Sequence, residues 1–125
     1  MSISQLIGRR IVSLDGLEAD SEAVIFKCSD GSSGVMGHYQ DCCEEVSVLD
    51  VVGDVADLID AMVVDAREET SDATGQKIDG RFVDDSATWT FYIIQTDKGA
   101  VTIRWLGTSN GYYSESVNFD FNEAA

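Results

Sequence analysis

Thr88–Thr96 (TWTFYIIQT), the turn Asp97-Lys98-Gly99 and Ala100–Leu106 (AVTIRWL) place two runs of β-branched and aromatic residues on either side of a tight polar turn. Side chains of this kind suit a pleated, half-buried surface, and a short Gly-containing connection between two such runs reads as an antiparallel hairpin. Beyond Leu106, Ser109-Asn110-Gly111 supplies a second turn, since Asn-Gly accepts the positive φ angles of a type I′ turn. Tyr113–Phe121 follows, with Val117, Phe119 and Phe121 alternating against polar residues. The expected result is a C-terminal three-strand meander.

Toward the N-terminus, Arg10–Leu14 (RIVSL) and Ala23–Cys28 (AVIFKC) read as two further strands, and Asp30-Gly31 as the turn after them. Gly34–His38 (GVMGH) is a third candidate whose glycines suit a bulge or a close backbone approach. VSVLDVV and MVVDAREE add two more strands. Between them, Val52, Val55, Leu58, Ile59 and Met62 recur at three- and four-residue steps, which predicts a short amphipathic helix with Asp54 as its N-cap. Thr70–Ser86, polar and carrying Gly75 and Gly80, reads as a mobile loop. The fold class expected is therefore α+β: a mostly antiparallel sheet, the meander, and one helix in a single domain spanning residues 1–125.

The composition is that of a globular chain, with 44% hydrophobic residues, but 8 Lys+Arg against 23 Asp+Glu leave a net charge of −15. That charge repels phosphates and anionic membranes, so direct nucleic-acid or membrane binding is disfavoured. Two readings of it remain: general solubility, or phosphate-like charge presented to a basic protein surface that normally holds nucleic acid. MSISQLIGRRIV lacks the basic, apolar and small-residue order of a secretory signal, and no 18-residue apolar run exists to span a membrane. Cys28, Cys42 and Cys43 are an odd number, and the adjacent pair is badly placed for a mutual disulfide, which points to a reducing compartment.

The densest constellation of reactive groups is His38, Gln40, Asp41, Cys42, Cys43 and Glu44. His38, Cys42 and Cys43, joined by Cys28, have the donor chemistry of a zinc site but not the C-x-x-C spacing. His38 with Cys42 or Cys43 has the ingredients of an activated thiol, yet the acidic surroundings raise a thiol pKa and no oxyanion-hole motif accompanies them. Thiols serving as small buried hydrophobes are the plainer reading. A second constellation, Arg104, Trp105, Asn110, Tyr112 and Tyr113, near Trp89 and Tyr92 across the hairpin, has the aromatic faces and cation to clamp a small ligand or nucleotide, or to anchor a protein interface. Ordinary cross-strand packing and turn chemistry account for the same residues. No calcium-loop order and no phosphate-binding glycine loop is present, and no cofactor is expected.

His38-x-Gln40-Asp41-Cys42-Cys43-Glu44, Trp89-Thr90-Phe91-Tyr92 and Arg104-Trp105-x-Gly107-x-Ser109-Asn110-Gly111-Tyr112-Tyr113-Ser114-Glu115-Ser116-Val117 resemble short proteins of unknown function encoded in bacteriophage and prophage genomes. The resemblance runs from Leu6 to Phe119 and departs from the family at Arg67, where an acidic or apolar residue is usual. It implies a phage accessory protein in the cytoplasm of the bacterial host and carries no catalytic residue with it. Together with the charge, it leads to the expectation of a non-enzymatic inhibitor of a host or defence protein with a basic surface. The alternatives are a small-ligand- or nucleotide-sequestering module built from Arg104, Trp105, Asn110, Tyr112 and Tyr113, or a metal or thiol enzyme at His38, Cys42 and Cys43.

Overall fold

The computed structural model describes residues 3–38, 44–73, 77–78, 81–82, 86–109 and 114–123, with backbone alone at 77–78 and 81–82. Among these residues ten strands follow one another: β1 Arg10–Asp15, β2 Ala23–Cys28, β3 Ser33–Gly37, β4 Glu45–Val52, β5 Ala61–Asp72, β6 Lys77–Ile78, β7 Arg81–Phe82, β8 Ser86–Thr96, β9 Ala100–Ser109 and β10 Asn118–Asn122. Strands β6 and β7 pair with each other, and the other eight form one antiparallel sheet in the order β10-β3-β2-β1-β5-β8-β9-β4.

The sheet has two four-stranded halves, joined where Arg10 and Ile11 of β1 pair with Met62 and Ala61 of β5. It curls so that one face of each half is interior. Val24, Phe26, Met36, Phe119 and Phe121 from the first half share a core with Tyr92, Ile94, Ile103 and Trp105 from the second. The indole N–H of Trp105 donates to Met36 Sδ at 3.1 Å across that interior. At the far seam, the backbone of Val48 in β4 bonds Asp20 and Ser21 of the β1–β2 connection, N–H to O=C in both directions at 2.8 Å. That contact gives part of the β4 edge a partner, which a sheet edge otherwise lacks.

Two expectations are corrected. The fold is antiparallel β, not α+β: among the described residues no helix reaches seven residues. Asp54 does cap as expected, its carboxylate accepting from Ala56 N at 3.0 Å, but what it caps is one 3₁₀ turn, Val55–Leu58. Ile59 is already extended, Asp60 has φ of 54°, and Ala61 enters β5. The apparent helical period joined residues of three elements, with Val52 at the exposed end of β4 and Met62 in β5.

The meander is the second correction. The β8–β9 hairpin is present, but β4 occupies the free side of β9, and β10 crosses to the opposite edge of the sheet to pair with β3. The reason lies in Gly34, whose missing side chain makes room for a ring: a Cβ there would stand 2.4 Å from Phe119 Cζ. Phe119 in turn packs edge-on against Phe26, with centroids 6.3 Å apart. Within Thr70–Ser86, β5 continues to Asp72, β8 starts at Ser86, and the β6–β7 ladder lies between, while residues 74–76, 79–80 and 83–85 lie outside the described residues. The expected strands β1, β2, β3 and β4 are all present.

Candidate functional site

The described parts of the three sequence motifs meet at one end of the sheet. His38, just after β3, places Nδ1 2.6 Å from the Ser116 carbonyl and Nε2 2.9 Å from Glu44 Oε2. The two side chains are 4% and 1% exposed. Nδ1 faces an acceptor and therefore donates to it, and the second contact is a hydrogen bond only with a proton between Nε2 and Oε2. Both ring nitrogens are committed, leaving neither for a metal ion or as a base toward a thiol. Glu115 lies beside this pair and is itself buried. It accepts from Thr88 Oγ1 at 2.7 Å and from Ser109 Oγ at 2.6 Å. Gly107 permits that approach, since a Cβ at its position would meet the Glu115 carbonyl oxygen at 2.4 Å. The motifs thus converge through two buried glutamates that hold the chain segment 114–117 against β3, β8 and β9.

The aromatic constellation is not assembled as a clamp. Trp105 points inward and is fully buried, whereas Arg104 points outward, 5.2 Å over the Trp89 ring, which stacks on Phe91 at 5.5 Å. Arg104 also donates through Nε and Nη2 to both oxygens of Asp50, each at 2.5 Å. The hydrogen bonds from Arg104 lower the Asp50 pKa, aided by the guanidinium charge and opposed by partial burial. Cys28 is buried, and desolvation raises its pKa, so it stays a neutral thiol. Gln40, Asp41, Cys42, Cys43, Asn110, Tyr112 and Tyr113 lie outside the described residues. Among the described residues, no group of three or more His, Cys, Asp or Glu is placed to hold a metal.

The sequence reading missed the clefts and what lines them. Tyr92, an interior residue, donates its hydroxyl to Glu68 Oε1 at 2.9 Å at the edge of a polar cleft of about 160 Å³. Burial, then the bond to Glu68 and its charge, raise the Tyr92 pKa and keep it protonated. A second cleft, about 120 Å³, runs between Asp20 and Glu45 over Leu49 and Leu106. A third, about 270 Å³, lies over β3 between Glu22 and Asp120. Of their residues, His38, Tyr92, Leu106, Val117 and Phe119 stood in stretches quoted from the sequence, but Asp20, Glu22 and Asp120 did not stand out there. Those acids are separated along the chain, and their spacing carries no period.

The charges are distributed unevenly. Each described arginine side chain is paired: Arg9 with Asp30 and Glu123, Arg10 with Asp60, Arg67 with Asp65 and Glu69, and Arg104 with Asp50. Asp15, Glu18, Asp20, Glu22 and Glu45, all exposed, make no ion pair with any described side chain. They surround the same end of the sheet as the His38–Glu44 pair. Asp20 and Glu45 share one cleft there, and Glu22 and His38 share another.

No described helix is long and apolar enough to cross a membrane. Searches of the curated proteins and of the solved structures each returned no match. A family model does match, over residues 4–119, nearly the whole span of the sheet, and the chain belongs to the family described as a domain of unknown function, DUF7448.

Proposed function

We propose that this protein is a non-enzymatic phage accessory protein that binds a basic, nucleic-acid-handling surface of a bacterial host or defence protein and inhibits it. The observation that carries the reading is the acidic rim of Asp15, Glu18, Asp20, Glu22 and Glu45, which makes no ion pair with any described side chain, on a chain whose described arginine side chains are each paired elsewhere. A concentrated negative rim steers a basic partner toward one end of the molecule and competes with phosphates for the same groove. The phage setting, and with it the host cytoplasm, is supported by the motif resemblance. The commitment of both His38 nitrogens, and the burial of Trp105, weigh against the enzyme and nucleotide-clamp alternatives.

The test is retention of bacterial lysate proteins on the immobilised chain at low and high salt, beside a variant with Asp15→Asn, Glu18→Gln, Asp20→Asn and Glu45→Gln. Retention of a DNA- or RNA-binding protein that is released by salt, lost with the variant and displaced by added DNA supports the proposal. Equal retention by the variant, or no partner at either salt, overturns it.

A further inference from the structure

We infer that the cleft over β3 is a pocket for a single lysine side chain of the basic partner, an inference that rests on the reading above and gives it a location. Of the outward-facing residues of β3, Val35 and Gly37 line this cleft, and with Ala23 of β2 they form a floor without polar side-chain atoms. Gly37 pairs with Ala23 on one side and Asn118 on the other, so the glycine leaves a trough between two side-chain-bearing strands. Glu22 stands on the β2 wall, and Asn118 and Asp120 stand on the β10 wall.

The trough ends at His38, whose nitrogens face Ser116 and Glu44 and are unavailable to an occupant. Its volume of about 270 Å³ is below the range of roughly 300–1,000 Å³ usual for pockets of whole small-molecule ligands, and it suits one extended side chain. A lysine stem can cover an apolar floor while its ammonium remains hydrated at the rim. Carboxylates on opposite walls also favour lysine over arginine. An ammonium is a compact charge that donates in several directions, whereas a guanidinium prefers two oxygens of one carboxylate in its own plane, as Arg104 finds at Asp50.

The experiment is a titration of the isotope-labelled full chain, followed by heteronuclear NMR, with an oligolysine peptide, its fully Nζ-acetylated counterpart and an oligoarginine of equal length. Expected are saturable shifts centred on the amides of Ala23, Val35 and Gly37 with oligolysine, and none with the acetylated peptide. Glu22→Gln with Asp120→Asn should weaken binding about tenfold, and Asp15→Asn with Glu18→Gln, an equal change of charge outside the trough, less than about twofold. Val35→Lys, at an outward position that leaves the core intact, should occupy the trough from within and also weaken binding.

Salt-sensitive binding with shifts elsewhere, equal losses from the two double variants, or oligoarginine binding as tightly at the trough would overturn the lysine pocket and leave the acidic-rim reading standing. No binding of either cationic peptide at low salt would remove both.

Discussion

His38 and Glu115 each hold a buried connection whose value comes from having every polar atom matched. Deleting the imidazole removes the hydrogen bond between His38 Nε2 and Glu44, whose side chain is 1% exposed. His38→Ala is therefore expected to cost about 1–3 kcal/mol, the scale for removing one partner of a buried hydrogen bond. Glu115→Ala strands the hydroxyls of Thr88 and Ser109 and should cost about 2–3 kcal/mol, whereas Glu115→Gln keeps an acceptor for one of them and should cost less. Urea unfolding midpoints measure both. Losses under about 0.5 kcal/mol, the size of an ordinary surface substitution, would show that these glutamates are solvated in solution. His38 was noticed in the sequence for its chemistry, and Glu115 only as one letter of a quoted motif. Their mutual arrangement was not legible, because it depends on a carbonyl seventy-eight residues away from His38.

Between elements, the pairing of β10 with β3 depends on the fit of Phe119 over Gly34. Gly34→Ala forces a methyl into the ring and is expected to destabilise the chain by about 1–3 kcal/mol, the usual cost of overpacking. In that background Phe119→Leu should cost less than it does alone, a non-additivity that a double-mutant cycle reads directly. A full additive sum would mean that the two residues do not touch. The β4–β9 ladder contains the Arg104–Asp50 pair, and its pH behaviour has a definite sign. Asp50 has its pKa depressed in the folded state, chiefly by hydrogen bonds from Arg104. Its contribution is therefore present above the ordinary carboxylate range and is lost as pH falls through the lower folded value. Asp50→Asn should lower stability at neutral pH and leave a shallower acid limb in a series of unfolding curves between pH 7 and pH 3. An acid limb of unchanged steepness would rule out that role.

For the whole molecule, a net charge of −15 on 125 residues sets a self-repulsion that the few internal ion pairs do not remove. Repulsion between exposed charges is screened over about 10 Å at 0.1 M salt, so the melting temperature should rise as sodium chloride is added from a salt-free buffer. The Asp15, Glu18, Asp20 and Glu45 variant should melt higher than the parent at low salt and show a smaller rise, because it has lost part of the repelling rim. Differential scanning calorimetry across a salt series checks this. A melting temperature that falls with salt would mean that attractive pairs dominate instead.

The sequence by itself determined the strand segments, because period-two alternation and β-branched residues act locally, and Asp97-Lys98-Gly99 closes its hairpin without outside help. It also determined the charge excess and the convergence of interest on His38, Glu44 and the Arg104–Val117 stretch. Only the tertiary structure decided which strands beyond that hairpin became neighbours, since β10 carries no local mark of the edge it joins, and the choice lay in Gly34 accepting Phe119 and in β4 already flanking β9. It likewise decided that Trp105 faces inward, that both nitrogens of His38 are taken, and that Glu22 and Asp120 stand across one trough. Those are relations between surfaces distant along the chain, fixed when two sheet halves bury a common core.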